Sequence, residues 1–101
     1  MTFIRIWRFR ALAERVEEFR EAYGPAGDWA RLFKSVPGYL GTELLESATD
    51  RSAFVTIDRW ESEDAWTGFL AQRSETYAAL DARCAGLTVE ETEIGAFRVA
   101  P

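Results

Sequence analysis

The hydrophobic pattern of the chain opens with a strict alternation from Thr2 to Arg10, which predicts a first strand. Successive side chains of a strand point to opposite faces, so this segment has two distinct sides. One side carries Phe3, Arg5, Trp7 and Phe9, and the other carries Ile4, Ile6, Arg8 and Arg10. Each side therefore combines apolar residues with arginine.

A helical spacing follows the first strand and predicts an amphipathic helix. Its apolar positions, three or four residues apart, are Leu12, Val16, Phe19 and Tyr23. The pair Gly24-Pro25 is expected to end this helix. A short second helix is predicted from Trp29 to about Ser35, with Asp28 as its cap. The run Val36-Pro37-Gly38 stops it, because the residue before a proline avoids helical geometry.

Two further strands are predicted from Tyr39 to Ser47 and from Ser52 to Trp60. The four residues between them, 48–51, are a short connection compatible with a hairpin. We therefore expect these two strands to pair in antiparallel fashion.

The remainder of the chain predicts one long helix and one last strand. Ser62 is expected to cap the helix, which has a possible kink at residues 72–74 and ends at Gly86. The strand is predicted from Leu87 to Val99, with a possible bulge at Gly95.

This order of elements predicts one α+β domain over residues 1–101, with a ferredoxin-like βαββαβ fold and a four-stranded antiparallel sheet. The helices cover one face of such a sheet. The third strand has Phe54 and Trp60 on one side and Val55 and Ile57 on the other, so both faces need cover. A second copy of the chain would cover the open face, which predicts a homodimer.

Composition supports this interpretation and excludes several partners. Hydrophobic residues make up 48% of the chain, which is more than a small sheet with a few helices is expected to hide. The formal charge of −5 argues against nucleic acid and anionic membranes as partners, since both require a basic surface. No apolar run is long enough to span a membrane, and the chain starts directly in the alternating pattern, so we expect a cytoplasmic protein.

The chain contains no histidine and no asparagine, which removes the commonest acid-base and metal-ligand side chain from any mechanism. We therefore predict no metal site. The run Glu90, Glu91 and Glu93 is interpreted as a solvated strand edge. Cys84, the single cysteine, falls on the apolar stripe of the long helix and is expected to be buried.

Candidate chemistry is concentrated where the third strand meets the long helix. Trp60 and Trp66 would stack on a planar aromatic substrate, although packing between strand and helix explains them as well. Thr56 and Asp58 share the Trp60 face of the strand. Asp58 would take a proton from a phenol if burial raised its pKa, and the alternative is an exposed or salt-bridged aspartate.

The first strand adds a candidate cation, since Arg5 and Trp7 lie together on one face. Arg5 would stabilise a phenolate or peroxide anion, and the alternative places it in solvent or at a dimer interface. Further aromatic residues complete the predicted substrate-binding set. They are Trp29, Phe33, Tyr39, Phe54, Phe69 and Tyr77.

Two motifs resemble the antibiotic biosynthesis monooxygenase family of dimeric α+β barrels, and the resemblance spans nearly the whole chain. They are Val36-Pro37-Gly38-Tyr39, which leads into the second strand, and Trp60-Glu61-Ser62-Glu63-Asp64-Ala65-Trp66, which leads out of the third. The resemblance implies a cofactor-independent monooxygenase that oxidises an electron-rich, polyketide-like phenol to a quinone. It also implies a homodimer with a pocket in each subunit.

The chain departs from that family at several site positions. By the resemblance, the family's asparagine falls at Thr56, a tyrosine at Trp66 and an arginine near Leu80, so only Trp60 is retained. Haem-degrading relatives place a tryptophan at Phe69 and a histidine at Asp81, and the absence of histidine disfavours that activity. A non-oxidative polyketide cyclase or isomerase and a small-molecule-binding module remain alternatives.

Overall fold

The computed structural model describes residues 1–101, which form four strands and three α-helices. The strands are β1 Phe3–Ala11, β2 Tyr39–Glu46, β3 Ala53–Trp60 and β4 Thr88–Arg98. The α-helices are α1 Val16–Tyr23, α2 Asp28–Phe33 and α3 Glu63–Cys84. Short 3-10 turns precede α1 at Ala13–Arg15 and follow α3 at Ala85–Leu87.

The strands form one antiparallel sheet in the order β2-β3-β1-β4. This arrangement confirms the predicted ferredoxin-like α+β fold. The register places Asp58 of β3 opposite Arg5 of β1 on one side and opposite Thr42 of β2 on the other. Three polar residues therefore lie abreast in the middle of the sheet, on the face that the helices cover.

The hydrophobic core lies between that face of the sheet and the helices, and aromatic residues dominate it. The largest side chains that are fully buried are Trp60, Phe19, Phe54 and Phe69. Phe19 of α1 packs on Phe54 of β3 with ring centroids 4.8 Å apart. Each fully buried aromatic side chain contributes about 1.5–3 kcal/mol of burial free energy, so these contacts hold the helices to the sheet.

Two predicted features of α3 are confirmed. The Ser62 hydroxyl accepts a hydrogen bond from the Ala65 amide at 3.1 Å, which caps the helix. The backbone breaks at Arg73, where φ is −125° and ψ is 24°. The Arg73 guanidinium reaches the hydroxyl oxygen of Ser35 at 3.2 Å, so the kink is tied to the end of α2. Cys84 is buried, as expected.

Some predicted boundaries are wrong. Asp28 does not cap α2, because Gly27 occupies the cap position and Asp28 is the first helical residue, where its carboxylate pairs with Arg31. Leu12 stays extended, so the first helical segment begins with a 3-10 turn. Gly86 lies within the 3-10 turn after α3 and does not itself end that helix, which stops at Cys84.

The sheet contains the predicted bulge and two unpredicted register shifts, of which one leaves Val89 of β4 unpaired. In β4, Ile6 pairs with Gly95 while Trp7 pairs with Glu93, which leaves Ile94 as the extra residue. In β2, the partners of Trp60 and Arg59 are Tyr39 and Gly41, which leaves Leu40 unpaired. The β2 bulge reverses the alternation of that strand beyond Leu40.

The sheet face away from the helices is rich in aliphatic residues. Strand alternation and register place on it Ile4, Ile6, Leu45, Val55, Ile57 and Phe97. Leu45 and Phe97 are 45% and 46% exposed, so the patch is open at both edges. None of the helices is both long and apolar enough to cross a membrane.

Gly38, the residue before β2, tests the backbone conformation of the turn that leads into this strand. Its φ is +95°, and an added Cβ would lie 2.5 Å from the Ala65 Cβ, so Gly38→Ala should destabilise the protein by more than about 1 kcal/mol. Gly68 is a matched control, because it lies inside α3 and its Cβ would meet only the Gln72 side chain at 3.9 Å. Gly68→Ala should stabilise the fold by about 0.5–1 kcal/mol. Urea denaturation measures both, and equal effects of the two changes would contradict the structure.

Candidate functional site

A cavity lies between the helix-covered face of the sheet and the helices. Its interior has about 70 Å³ of space for water-sized molecules, and it opens to solvent. Its wall includes a set of residues that the sequence singled out. They are Arg5, Trp7, Trp29, Phe33, Thr56, Asp58 and Tyr77. A cavity with an apolar wall and a few convergent polar groups is typical of a small-molecule site.

Asp58 is the cavity carboxylate that the sheet supplies from β3, and it is held between neighbouring strands. The Thr42 hydroxyl donates a hydrogen bond of 2.6 Å to Oδ1 of Asp58. No arginine or lysine nitrogen lies within ion-pairing distance of this carboxylate, since its register neighbour Arg5 pairs with Glu93. Burial raises the pKa of Asp58 to about 6, against the opposing effects of the Thr42 hydrogen bond and the Arg5 charge. Asp58 is therefore ionised at neutral pH and is a stronger base than an ordinary aspartate.

Thr42 also contacts Tyr39, whose hydroxyl oxygen lies 2.7 Å from the Thr42 hydroxyl oxygen. Because the single hydroxyl hydrogen of Thr42 is donated to Asp58, Tyr39 must be the donor in this second bond. Burial raises the pKa of Tyr39, so its phenol stays protonated and keeps that donor role. The three side chains form a directed chain of hydrogen bonds that ends on a carboxylate.

Arg5 supplies positive charge to the same part of the cavity. Its side chain is only 14% exposed, and its guanidinium pairs with Glu93 at 2.6 Å. The guanidinium carbon lies 4.3 Å from the Trp66 ring centroid and 5.5 Å from that of Trp7. An arginine held over aromatic faces is well placed to meet an anion beside them.

Tyr77 of α3 is a further titratable group that lines the cavity. Burial raises its pKa, and the Arg5 charge lowers it, so the phenol is neutral and lies close to the guanidinium. Thr56, which is 4% exposed, lines the cavity at the position where the family resemblance puts an asparagine. A hydroxyl at this position is shorter than an amide and carries one donor in place of two.

Several predicted site residues lie behind the cavity wall. Trp60, Phe54 and Phe69 are buried in the core, and Trp60 is 0% exposed. The Trp60 ring packs against the rings of Phe33, Tyr39 and Trp66. The ring centroids are 5.4–5.5 Å apart in each pair. Trp60 thus supports the cavity wall from the core side, through Phe33. Contact of Trp60, Phe54 and Phe69 with a substrate stays a prediction.

The cavity includes residues that the sequence analysis did not assign to it. They are Phe9, Tyr23, Thr42, Asp81 and Glu91. Alternation along β1 could have found Phe9, which shares the face of Arg5 and Trp7. Thr42 could not be found by alternation, because the β2 bulge turns it to the helix-covered face of the sheet. Uninterrupted alternation from Tyr39 would place Gly41 on that face instead. Glu91 lies at the cavity, and Glu93 pairs with Arg5, so this acidic run is more than a solvated edge.

Comparison with known proteins places the fold and the family. A family model described as antibiotic biosynthesis monooxygenase matches residues 2–81. The chain belongs to this family. No curated protein matches its sequence.

Solved structures of similar fold include members of the antibiotic biosynthesis monooxygenase family. A variant of SnoaB, a cofactor-independent oxygenase from Streptomyces nogalater, has a TM-score of 0.78 at 21% identity and covers 99% of this chain and 94% of its own. A Deinococcus radiodurans protein assigned to the family has a TM-score of 0.78 at 16% identity, with coverages of 98% and 93%. A conserved Methanosarcina mazei protein has a TM-score of 0.73 at 12% identity, with coverages of 97% and 92%. These likenesses show the shared fold.

The raised pKa of Asp58 makes a prediction about stability. Between about pH 4 and pH 6 the native state binds more protons than the unfolded state, so stability falls as pH rises through that window. Asp58→Asn abolishes the charge and keeps an oxygen for the Thr42 hydroxyl. The variant should therefore be more stable than the parent above about pH 7, by about 1–3 kcal/mol, and the gain should shrink towards pH 4.

Urea denaturation across this pH range measures the gain. Asp64→Asn is a matched control, because Asp64 is an exposed carboxylate in the first turn of α3, where negative charge is favourable. It should give a small loss. A gain for Asp58→Asn that is the same at both ends of the pH range would contradict a partly desolvated carboxylate that ionises within that range.

Proposed function

We propose that this protein is a cofactor-independent monooxygenase that oxidises an electron-rich phenol to a quinone. The observation that carries the proposal is the position of Asp58, a carboxylate with a raised pKa in the wall of an aromatic cavity. Family membership and the SnoaB-like fold support an oxygenase, since that relative is a cofactor-independent oxygenase.

The first step of the proposed reaction is a proton transfer. Asp58 takes the proton of the substrate hydroxyl, and Arg5 stabilises the resulting phenolate. A phenol of pKa near 10 and a base of pKa near 6 differ by about 4 units, which corresponds to about 5 kcal/mol. An ordinary aspartate would make the same transfer about 3 kcal/mol harder, so burial of Asp58 contributes directly to the rate.

Dioxygen is the oxidant in the second step. The ring carbon para or ortho to the phenolate oxygen transfers an electron pair to dioxygen and forms a C–O bond, and the distal peroxide oxygen takes the proton held by Asp58. Loss of the ring C–H proton and cleavage of the O–O bond then give the second carbonyl and release water. One substrate and one O2 become one quinone and one H2O, and the protein supplies orientation, desolvation and charge.

The charge of the cavity favours an uncharged substrate. Asp81 and Glu91 line it together with Asp58, and the one arginine in its wall already pairs with Glu93. An aromatic substrate that carries its own carboxylate would meet mostly like charge. We therefore expect a neutral phenol to bind better than its carboxylated analogue.

A non-oxidative cyclase or isomerase is the second candidate. The same base would abstract a proton from carbon next to a carbonyl, and Thr56 stands where the oxygenase relatives of the resemblance carry an asparagine. A binding module would use the cavity without turnover.

We also propose that the protein is a homodimer through the open face of the sheet. That face carries Ile6 and Ile57 as direct neighbours at its centre, flanked by Ile4 and Val55. Aliphatic side chains grouped on one face of a small protein favour association, because burying them removes apolar area from water.

Oxygen uptake by the metal-stripped protein tests the proposed reaction. With anthrone, hydroquinone and naphthol substrates, we expect uptake with quinone formation in a ratio of one to one. Asp58→Asn should lower the rate by about 10²–10⁴-fold, since it removes the base, and Asp64→Asn should leave it unchanged. A hydroxynaphthoate should bind more weakly than the matched naphthol, as measured by quenching of tryptophan fluorescence.

The outcomes separate the candidates. Conversion that proceeds equally well without oxygen would identify a cyclase or isomerase. Ligand binding with no conversion in either condition would identify a binding module. Full oxygenase activity in Asp58→Asn would refute the role of this carboxylate.

Sedimentation velocity tests the dimer. The protein should sediment as a dimer, and Ile57→Glu should convert it to a monomer because a charge at the centre of an apolar interface would have to be desolvated. Gln72→Glu adds the same charge on the exposed surface of α3 and should leave the dimer intact. A parent protein that remains monomeric at tens of micromolar would refute the proposal.

A further inference from the structure

Asp58 is held by Thr42, which is in turn held by Tyr39 at the start of β2. Thr42 donates to Oδ1 of Asp58 at 2.6 Å, and the Tyr39 hydroxyl lies 2.7 Å behind it on Thr42. The other carboxylate oxygen, Oδ2, has no hydrogen-bond donor in the protein. One oxygen is therefore fixed and the other is free in the wall of the cavity.

We propose that Thr42 and Tyr39 are positioning residues that form a hydrogen-bond relay behind Asp58, fixing Oδ1 so that Oδ2 is presented to the substrate proton. The inference deepens the proposed function, and it rests on Asp58 acting as the base. It assigns a role to two residues of β2, of which Thr42 contacts the base and Tyr39 contacts Thr42.

The relay has a direction that matches this task. Tyr39 donates to Thr42, and Thr42 donates to Asp58, so both hydroxyl groups point their hydrogens towards the carboxylate. Such a chain stabilises the ionised form of Asp58, which is the form that accepts a proton. It also restricts rotation of the carboxylate, because Oδ1 cannot turn away without breaking a charge-assisted hydrogen bond.

The other charged and titratable groups around Asp58 donate no hydrogen bond to its carboxylate. From β1 the Arg5 guanidinium lowers the pKa of Asp58, but it is bound to Glu93 of β4. From α3 the Tyr77 phenol is neutral and lies nearer to Arg5. Thr42 is thus the one hydrogen-bond donor to this carboxylate, and its contribution is measurable separately from that of the charges.

The backbone explains how a β2 residue reaches the base. The bulge that leaves Leu40 unpaired places Tyr39 and Thr42, three residues apart, on the same face of the sheet. Gly41 sits at the bulge with a φ of +151°, where a side chain would be strained. Without the extra residue, strand alternation would turn Thr42 away from Asp58.

Carboxyl-carbon NMR titration of Asp58 in the substrate-free protein tests the relay directly. Thr42→Val keeps the shape of the side chain and removes the donor, so it should raise the pKa of Asp58 from about 6 by about one unit. Thr42→Ser restores a hydroxyl and should return the pKa close to the parent value. Tyr39→Phe should give a smaller rise. Thr92→Val, on β4 away from Asp58, is the matched control and should give none.

Oxygen uptake against pH gives the second measurement. In Thr42→Val the acidic limb of the kcat profile, which reports the deprotonation of the base, should move up with the carboxyl pKa. The kcat should fall while KM stays near the parent value, because the aromatic wall is intact. Thr42→Ser should recover most of kcat.

The two proposals fail in different ways. An unchanged carboxyl pKa in folded Thr42→Val and Tyr39→Phe would overturn the relay, even if the parent consumes oxygen. A raised carboxyl pKa in a protein whose parent consumes no oxygen would support the relay and refute the oxygenase. A KM effect without a kcat effect would also overturn the relay, since it would place Thr42 in substrate binding.

Discussion

The pairing of β3 between β1 and β2 is the constraint on which the rest of the structure depends. It brings Arg5, Asp58 and Thr42 abreast on one face of the sheet. The same face carries the aromatic residues on which the helices pack, including Trp60 and Phe54. Core and cavity therefore share one surface, and a slip of one residue in either pairing would send the whole set to the opposite face.

Asp58 lowers the stability of this fold at neutral pH. Its carboxylate is withdrawn from water without an ion-pair partner, which costs folding free energy at neutral pH and raises the basicity of the group. The hydrogen bond from Thr42 recovers part of that cost, and Arg5 recovers another part through its charge. The pKa of about 6 means that the remainder of that cost stays uncompensated.

Periodicity predicted the element order, the ferredoxin-like sheet and the Ser62 cap, because each depends on residues close together in sequence. The site was predicted less completely. Face alternation correctly grouped Arg5 with Trp7 and Asp58 with Thr56, but it could not reveal that a bulge re-aims Thr42. Nor could it show which aromatic side chains line the cavity, since Trp60 and Phe69 differ from Trp29 only in how deeply the tertiary packing seats them.

The break in α3 at Arg73 divides that helix into two parts with different neighbours. The first part carries Trp66 and Phe69, which pack on Trp60 in the core, and the second carries Tyr77 and Asp81, which line the cavity. The second part also buries Leu80 and Cys84 in the core, so both parts of the helix are anchored. The break lets one continuous segment change direction, and the same helix thereby packs against the core aromatic residues at one end and borders the cavity at the other.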